Sequence, residues 1–274
     1  MARFFSFFLL LILTTITTPG IAAAEMQPVR KLRAGLPPFE VMAAILATNQ
    51  RAVTGLAPDL DPTDLATPYL TWLADADARV REQDILSGTG RSIYTVRNLG
   101  NQLTLSQGAI DFGVRYLHTP ILLITGNTDS LAIRLFTQGY DDLAPAVRAD
   151  LDHLHLPLAA APPSPPPQTA DTPQPDPAEL RLRQVEANVD YQVRQAVARY
   201  QDRVKGGRLV VVGAVVDIAN AYGRGAGCLI IINVDNETDA GKLRRLRVMA
   251  RLSEELIQSH IGRQRPQKTD TLKR

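Results

Sequence analysis

Three short apolar runs, each followed by a polar or glycine-containing turn, are the feature that most limits how this chain can fold. They occupy residues 69–73, 92–96 and 121–125, and a helical segment separates the second run from the third. This alternation predicts parallel strands that are joined by crossover helices. We therefore expect an α/β fold with a central, mostly parallel sheet and flanking helices.

Polar and glycine residues follow these runs, at the positions where the functional residues of such a sheet usually lie. Functional groups gather at the carboxyl ends of the strands in an open parallel sheet. Asp75, Arg97 and Gly126 lie at or next to those ends. We expect all three to lie close to a functional site.

The rest of the chain supplies further helices and strands. Helical spacing of apolar residues predicts helices over 39–51 and 179–200. The β-rich runs 208–216 and 227–233 predict two more strands, as a hairpin or as neighbours in the sheet. An apolar stripe over 243–257, crowded by lysine and arginine, predicts a basic amphipathic terminal helix. A solvated charged face explains this pattern more simply than contact with an anionic membrane.

The first 24 residues have the composition of an export signal. Arg3 precedes an almost unbroken apolar run over residues 4–13, and three alanines precede Glu25. The run is about half of the roughly 20 residues that span a bilayer, which favours cleavage over a membrane anchor. We predict a signal peptide over residues 1–24 and a location in the periplasm or outside the cell.

Charge and cysteine content exclude two properties. A formal net charge of +2 is too balanced for a nucleic-acid-binding protein, so no nucleic-acid partner is expected. Cys228 is the single cysteine, which makes an internal disulfide impossible, and its apolar neighbours indicate a small buried hydrophobe rather than a nucleophile. The histidines are expected to be solvated or to cap helices. They are His118, His153, His155 and His260.

A proline-rich segment over about 159–177 interrupts the chain. Closely spaced prolines can neither continue a helix nor join the interior of a sheet, so a stiff, solvated insertion is expected. A spacer is favoured over a ligand for aromatic-lined grooves of a partner. We predict that residues 25–274 form a single domain with this insertion and a basic carboxyl-terminal tail.

Three segments carry a family resemblance. Asp75 begins DADARV, Val96 begins VRNLGN and Gly126 begins GNTDSLA. In that order they resemble the Cys-x-Asp-x-Arg, Arg-Asn-x-Gly-Asn and Gly-His-x-x-Cys-Gly motifs of the β-class carbonic anhydrases. Residues 45–55 are similar to the family's amino-terminal helix, residues 188–204 to its long helix and residues 207–218 to the strand that follows. The resemblance implies the β-carbonic-anhydrase fold and a homodimer.

The resemblance also implies a metal centre whose ligands have been replaced. The family holds zinc with two thiolates and an imidazole, and at those positions this chain has Asp75, Asn127 and Ser130. An amide and an un-ionised hydroxyl are weak zinc ligands, so no zinc and no other cofactor is expected. Asp75, Asp77 and Asp129 offer oxygen ligands for a harder metal, but nothing in their spacing requires them to converge.

Asp77 and Arg79 stand at the positions of the family's catalytic aspartate and arginine. One interpretation is a surviving pocket for bicarbonate or another small anion, formed by Asp77, Arg79 and Gly126. The alternative is an ion pair that is retained because breaking it would leave a buried charge without a partner.

Three functions therefore remain open from the sequence. The first is an exported, carbonic-anhydrase-like protein without CO2 hydration, which binds a small anion or an envelope protein. The second is an active carbonate dehydratase that holds its metal with unusual ligands. In the third, the proline-rich insertion and the basic terminal helix bind envelope partners and the sheet is only their scaffold.

Overall fold

The computed structural model describes residues 37–54, 68–86, 93–159 and 176–265. In these residues five strands form one sheet in the order β2-β1-β3-β4-β5. Their bounds are Leu70–Asp75 for β1, Ile93–Asn98 for β2, Ile121–Asn127 for β3, Val210–Asp217 for β4 and Cys228–Val234 for β5. The three apolar runs predicted as strands fall in β1, β2 and β3.

The pairing of the strands confirms the predicted sheet. β1 pairs in parallel with β2 and with β3, and β3 pairs in parallel with β4. β5 is antiparallel to β4, so the runs 208–216 and 227–233 form neighbouring strands. The sheet is therefore mostly parallel, with one antiparallel edge strand in the described part of the chain.

Helices lie on both faces of this sheet. They are α1 (Pro38–Thr54), α2 (Glu82–Ile85), α3 (Gln107–Asp111), α4 (Leu131–Gln138), α5 (Pro145–Asp152), α6 (His155–Ala159), α7 (Pro177–Arg199), α8 (Gln201–Lys205), α9 (Ala240–Leu243) and α10 (Glu254–His260). Short 3₁₀ turns occur at Thr104–Ser106 and Arg247–Met249, and a π-helical turn at Phe112–Tyr116. The predicted helices over 39–51 and 179–200 are confirmed as α1 and α7.

Two apolar layers cover the sheet. On one face, Met42 and Leu46 of α1 belong to the same buried cluster as Trp72. On the other face, Val189 and Val193 of α7 pack in the cluster that contains Leu122. Every residue of β1, β3 and β5 is buried as a result, and the carboxyl ends of the strands are left as the place where polar groups gather.

The single terminal helix predicted over residues 243–257 is wrong. The segment forms α9, a 3₁₀ turn and α10, because Leu246 and Ser253 adopt extended backbone conformations. The Ser253 hydroxyl begins α10 by accepting a hydrogen bond from the Leu256 backbone N at 3.2 Å. Val248 and Met249 are buried in the α1 layer, so the apolar stripe was real although its helix was not continuous.

Several predictions concern residues outside the described ranges. The signal peptide over 1–24 and nearly all of the proline-rich segment lie there, and so do the last residues of the basic tail. The described residues all belong to one compact unit. No helix among them is both long enough and apolar enough to cross a bilayer.

Candidate functional site

The predicted site residues meet at the carboxyl edge of the sheet. Asp75 is the last residue of β1, and it is the register partner of Asn98 at the end of β2. Asn127 ends β3, which lies on the other side of β1. The turns after β1 and β3 therefore face one another, and they carry the remaining candidates.

Asp75 is buried and is held by hydrogen-bond donors. Its Oδ2 accepts from the Ser130 hydroxyl at 2.5 Å, and its Oδ1 accepts from the Gly100 backbone N at 2.9 Å. Burial raises the pKa of the Asp75 carboxyl, and these hydrogen bonds oppose the shift only in part. Among the described residues no cation forms an ion pair with it.

Ser130 uses its hydroxyl in both directions. Besides donating to Asp75, the oxygen accepts from the Ile133 backbone N at 3.4 Å and so caps the start of α4. A side-chain oxygen at this position satisfies one of the free N–H groups of the first helical turn. Ser130 is thus both the partner of Asp75 and a helix cap.

Asn127 connects the same turn to Asp77. Its Nδ2 donates to Asp77 Oδ2 at 3.2 Å, while its buried Oδ1 has no partner among the described residues. Because an amide nitrogen can only donate, this contact orients the oxygen of the side chain away from Asp77.

Asp77 and Arg79 form a two-point ion pair. Arg79 Nε donates to Asp77 Oδ1 at 2.9 Å, and Nη2 donates to Oδ2 at 2.6 Å. The hydrogen bonds from Arg79 hold the pKa of Asp77 below its ordinary value, and the pair raises the pKa of Arg79. The carboxylate is 6% exposed and the arginine side chain 47%, so Arg79 extends from the buried site to solvent.

Asp129 is a second acidic partner of Arg79. Arg79 Nη1 donates to Asp129 Oδ2 at 2.9 Å, and Nη2 donates to the Asp129 backbone O at 2.8 Å. Two further arginines, Arg134 of α4 and Arg181 of α7, each place a nitrogen 3.7 Å from Asp129 Oδ1. Asp129 was predicted only as an oxygen ligand, and neither arginine was predicted. Arg134 lies five residues further along the chain, whereas Arg181 comes from a distant helix.

Arg97 braces the turn after β1. Its Nη2 donates to the backbone oxygens of Asp75 at 3.0 Å and Asp77 at 2.6 Å. The predicted position of Arg97 at this edge is confirmed, and its contacts are to the backbone rather than to a side chain of the site.

Helix α7 supports the site from one face of the sheet. Asn188 Nδ2 donates to the Gly100 backbone O at 2.8 Å, and the Gln192 side chain links Asn188 to the Leu103 backbone N. Gly126 lies under the same helix. A Cβ at Gly126 would come within 2.6 Å of Val185, so glycine is required here by the close approach of α7.

Cys228 and His260 form a buried pair elsewhere on the sheet. Cys228 is buried as predicted, and burial raises the pKa of its thiol to about 12. His260 was expected to be solvated or capping, and this prediction is wrong, because the side chain is fully buried with Nδ1 at 2.8 Å from the Leu229 backbone O. Burial lowers the pKa of His260.

Asp75, Asn127 and Ser130, which the motif resemblance predicted to stand at zinc-ligand positions, offer a carboxyl, an amide and a hydroxyl. Within residues 37–54, 68–86, 93–159 and 176–265, no group of three or more His, Cys, Asp or Glu side chains is placed to hold a metal ion. The acids of the site are directed to different partners, since Asp75 meets Ser130, whereas Asp77 and Asp129 meet Arg79.

Comparison with known proteins decides the family. The family model described as carbonic anhydrase matches residues 70–223, which is more than half of the chain. The chain belongs to the carbonic anhydrase family. No match was found among curated proteins.

Solved β-carbonic anhydrases are similar to this chain, and CcaA shows the same fold. The β-carbonic anhydrase CcaA is 15% identical, with a TM-score of 0.50 over 61% of this chain and 74% of that one. A tetrameric β-carbonic anhydrase of Sordaria macrospora is 16% identical over 66% of this chain and 83% of its own, with a TM-score of 0.49. The Coccomyxa β-carbonic anhydrase in complex with acetazolamide is 19% identical over 76% and 87%, with a TM-score of 0.49. The fold of this carbonic anhydrase family member is that of the β class.

The segment that matches the carbonic anhydrase model contains all the predicted site residues. It begins with β1, continues through α7 and β4, and ends in the turn before β5. The edge of the sheet described above is thus within the part of the chain that carries the family relationship.

Proposed function

We propose that this carbonic anhydrase family member holds no catalytic zinc, does not hydrate CO2 and acts by binding a small anion or a protein partner. The observation that carries the proposal is that the side chains at the predicted ligand positions form hydrogen bonds with one another or with a neighbouring acid. Asp75 and Ser130 are bonded to each other, and the amide nitrogen of Asn127 is bonded to Asp77. A cluster of hydrogen bonds stands where the resemblance implies a metal centre.

The chemistry of these donors does not fit zinc. Zinc sites in proteins use thiolate, imidazole and carboxylate ligands, and those ligands must be deprotonated. Burial favours the neutral form of Asp75, the Ser130 hydroxyl is an un-ionised alcohol, and Asn127 offers one amide oxygen. Hydration of CO2 at neutral pH requires a bound cation that lowers the pKa of water to about 7, and the described side chains at this edge do not offer zinc the ligands it prefers.

The predicted anion-pocket residues have other roles in the structure that limit their ability to bind an anion. Gly126 is accounted for by packing against Val185, and the Arg79 guanidinium already meets the carboxylates of Asp77 and Asp129. These contacts favour the interpretation of Asp77 and Arg79 as a retained ion pair. An anion would bind more readily to arginines whose N–H donors are not already used by carboxylates.

The metal question is tested by elemental mass spectrometry of the purified full-length protein after exposure to zinc, with stopped-flow CO2 hydration on the same sample. We expect zinc far below one ion per chain and no turnover. The positive control is the triple variant Asp75→Cys, Asn127→His and Ser130→Cys, which restores the family's ligands and should take up zinc. Stoichiometric zinc in the unmodified protein, with turnover abolished by Asp75→Ala, would establish the active carbonate dehydratase instead.

We further propose export, self-association as a homodimer and binding to an envelope protein. β2 is at an edge of the described sheet, and Tyr94 on it packs against Phe112, which stacks with Tyr116. Phe112 is 42% exposed and Tyr116 is 69% exposed, so the cluster offers apolar surface beside an open strand edge.

Light scattering coupled to size exclusion tests the dimer. Phe112→Ser with Tyr116→Ser should shift the mass toward the monomer, while Leu156→Ser, which removes an exposed hydrophobic side chain elsewhere, should not. A monomeric unmodified protein would contradict the homodimer. Cell fractionation of the full chain tests export.

A further inference from the structure

Three arginines surround one carboxylate at the mouth of the site. Asp129 Oδ2 accepts from Arg79 Nη1 at 2.9 Å, and Asp129 Oδ1 lies 3.7 Å from both Arg134 Nη1 and Arg181 Nε. A separation of 3.7 Å between nitrogen and oxygen is too long for a hydrogen bond. Arg134 and Arg181 are therefore attracted to Asp129 by charge without donating to it.

These two guanidiniums keep their donors free within the described part of the chain. Arg181 Nε is buried and has no hydrogen-bond partner there, and the only ion pair formed there by Arg134 is the long contact with Asp129. A guanidinium carries five N–H donors in a planar fork that matches carboxylate and phosphate oxygens. Donors of this kind next to a partly shielded site are suited to an oxyanion.

The positive and negative charges of this cluster of side chains do not balance. Arg79, Arg134 and Arg181 contribute three positive charges, whereas Asp77 and Asp129 contribute two negative charges. The Arg134 and Arg181 side chains are 37% and 27% exposed, so part of each side chain is open to solvent although Arg181 Nε itself is buried. Arg134 Nη1 and Arg181 Nε each lie 3.7 Å from Asp129 Oδ1, so the two nitrogens are separated by at most twice that distance.

We propose that Arg134 and Arg181 form a binding site for a small oxyanion beside Asp129. The inference rests on the proposed binding role and names the residues that perform it, which lie outside the predicted trio Asp77, Arg79 and Gly126. One oxyanion bridges the two guanidiniums and supplies the missing negative charge. The Asp129 carboxylate competes with it for the same donors, so Asp129 sets how tightly the anion is held.

The test is isothermal titration of the full chain with bicarbonate and, separately, with inorganic phosphate at low ionic strength, where surface charge is least screened. The double variant Arg134→Gln with Arg181→Gln should weaken binding by at least about tenfold, because hydrogen bonds to charged groups contribute on that scale. Asp129→Asn should tighten binding several-fold, since it removes the competing charge and asparagine tolerates the positive φ of 82° at this position.

The matched control is the double variant Arg194→Gln with Arg247→Gln. It removes the same charge from two exposed arginines outside the site, one of them further along α7, and it should leave the affinity unchanged. Equal affinities for the two double variants would overturn the inference. So would the absence of binding by both the unmodified protein and Asp129→Asn.

The metal experiment separates this inference from the proposed function. Absence of zinc together with absence of anion binding would overturn the arginine site and leave the loss of the metal centre standing. Stoichiometric zinc with turnover would overturn the zinc-free proposal, and the arginine variants, whose titration does not depend on turnover, would still decide the anion site.

Discussion

Ser130 performs two tasks with one hydroxyl, and this makes it a sensitive residue of the site. It donates to the buried Asp75 and caps α4 through Ile133. Ser130→Ala removes a cap, which costs about 1 kcal/mol, and leaves a buried carboxyl short of a donor, which costs about 1 to 3 kcal/mol more. Urea unfolding should therefore show a loss of about 2 kcal/mol or more.

Ser253→Ala is the comparison for this change. Ser253 caps α10 through the Leu256 backbone N, and it is exposed and holds no buried acid. It should lose only the cap contribution of about 1 kcal/mol. Equal losses in the two variants would mean that the Asp75–Ser130 hydrogen bond contributes nothing to stability.

Asp75 and Asp77 should respond to pH in opposite directions. The folded pKa of Asp75 lies above its ordinary value of 3.8, so its contribution to stability is present below pH 3.8 and is lost as pH rises through the folded pKa. The folded pKa of Asp77 lies below 3.8, so its contribution is present above pH 3.8 and is lost as pH falls through the folded pKa.

Unfolding free energies across the acid and neutral range test both signs at once. Relative to the unmodified protein, Asp75→Asn should gain stability as pH rises above 3.8, because it removes a buried group that must ionise. Asp77→Asn should lose stability as pH rises toward 3.8 from the acid side, because it removes the partner of Arg79. Parallel pH profiles for the two variants would contradict the opposite pKa shifts of Asp75 and Asp77.

At the scale of elements, the contact between α7 and the sheet depends on two glycines. A Cβ at Gly126 would lie 2.6 Å from Val185, and one at Gly213 would lie 2.7 Å from Val193. Real Cβ atoms do not approach so closely, and overpacking of this kind costs about 1 to 3 kcal/mol. Gly126→Ala should be destabilised by this amount in thermal or urea unfolding.

Two variants control this prediction. Gly108 lies in α3, and a Cβ added there would have no neighbour within 4 Å, so Gly108→Ala should be neutral or stabilising by up to about 1 kcal/mol. Combining Gly126→Ala with Val185→Ala should cost less than the sum of the two single losses, because the shorter side chain makes room for the added methyl group. Loss of stability in Gly108→Ala but not in Gly126→Ala would contradict the packing explanation.

For the whole molecule, ion pairs hold the carboxyl-terminal segment against α7. Arg263 Nη2 donates to Asp190 at 2.7 Å, and Arg265 bonds both Glu179 and the buried Glu186, all three acids being on α7. Arg265→Gln leaves Glu186 with Tyr222 as its remaining partner among the described residues. Because Arg265 is itself only 19% exposed, we expect a loss of about 2 to 3 kcal/mol in urea unfolding.

Arg183→Gln provides the surface comparison for Arg265. Arg183 pairs with Glu179 one turn away on the same helix, and both side chains are partly exposed. Such pairs contribute about 0.3 to 0.5 kcal/mol, so this variant should be nearly as stable as the unmodified protein. A loss as large as that of Arg265→Gln would show that charge number, rather than burial, governs the effect.

Much of the fold could be predicted from the sequence because local patterns report burial. Apolar runs marked all five strands, and apolar spacing marked α1 and α7. The terminal segment was predicted less well, since an apolar stripe at helical spacing does not reveal that Ser253 starts a new helix. His260 was placed wrongly for a similar reason, because its partner Leu229 belongs to a distant strand.

The sequence by itself indicated the family and the α/β architecture, and it placed the candidate site residues at the carboxyl ends of the strands. Motif order and apolar periodicity are properties of the sequence, and they can be recognised without knowing which residues are in contact. Only the tertiary structure decided which groups these residues meet: Ser130 bonds Asp75 across 55 positions, and α7 brings Arg181 to Asp129. Hydrogen bonds and ion pairs depend on distance in space, which spacing along the chain does not contain.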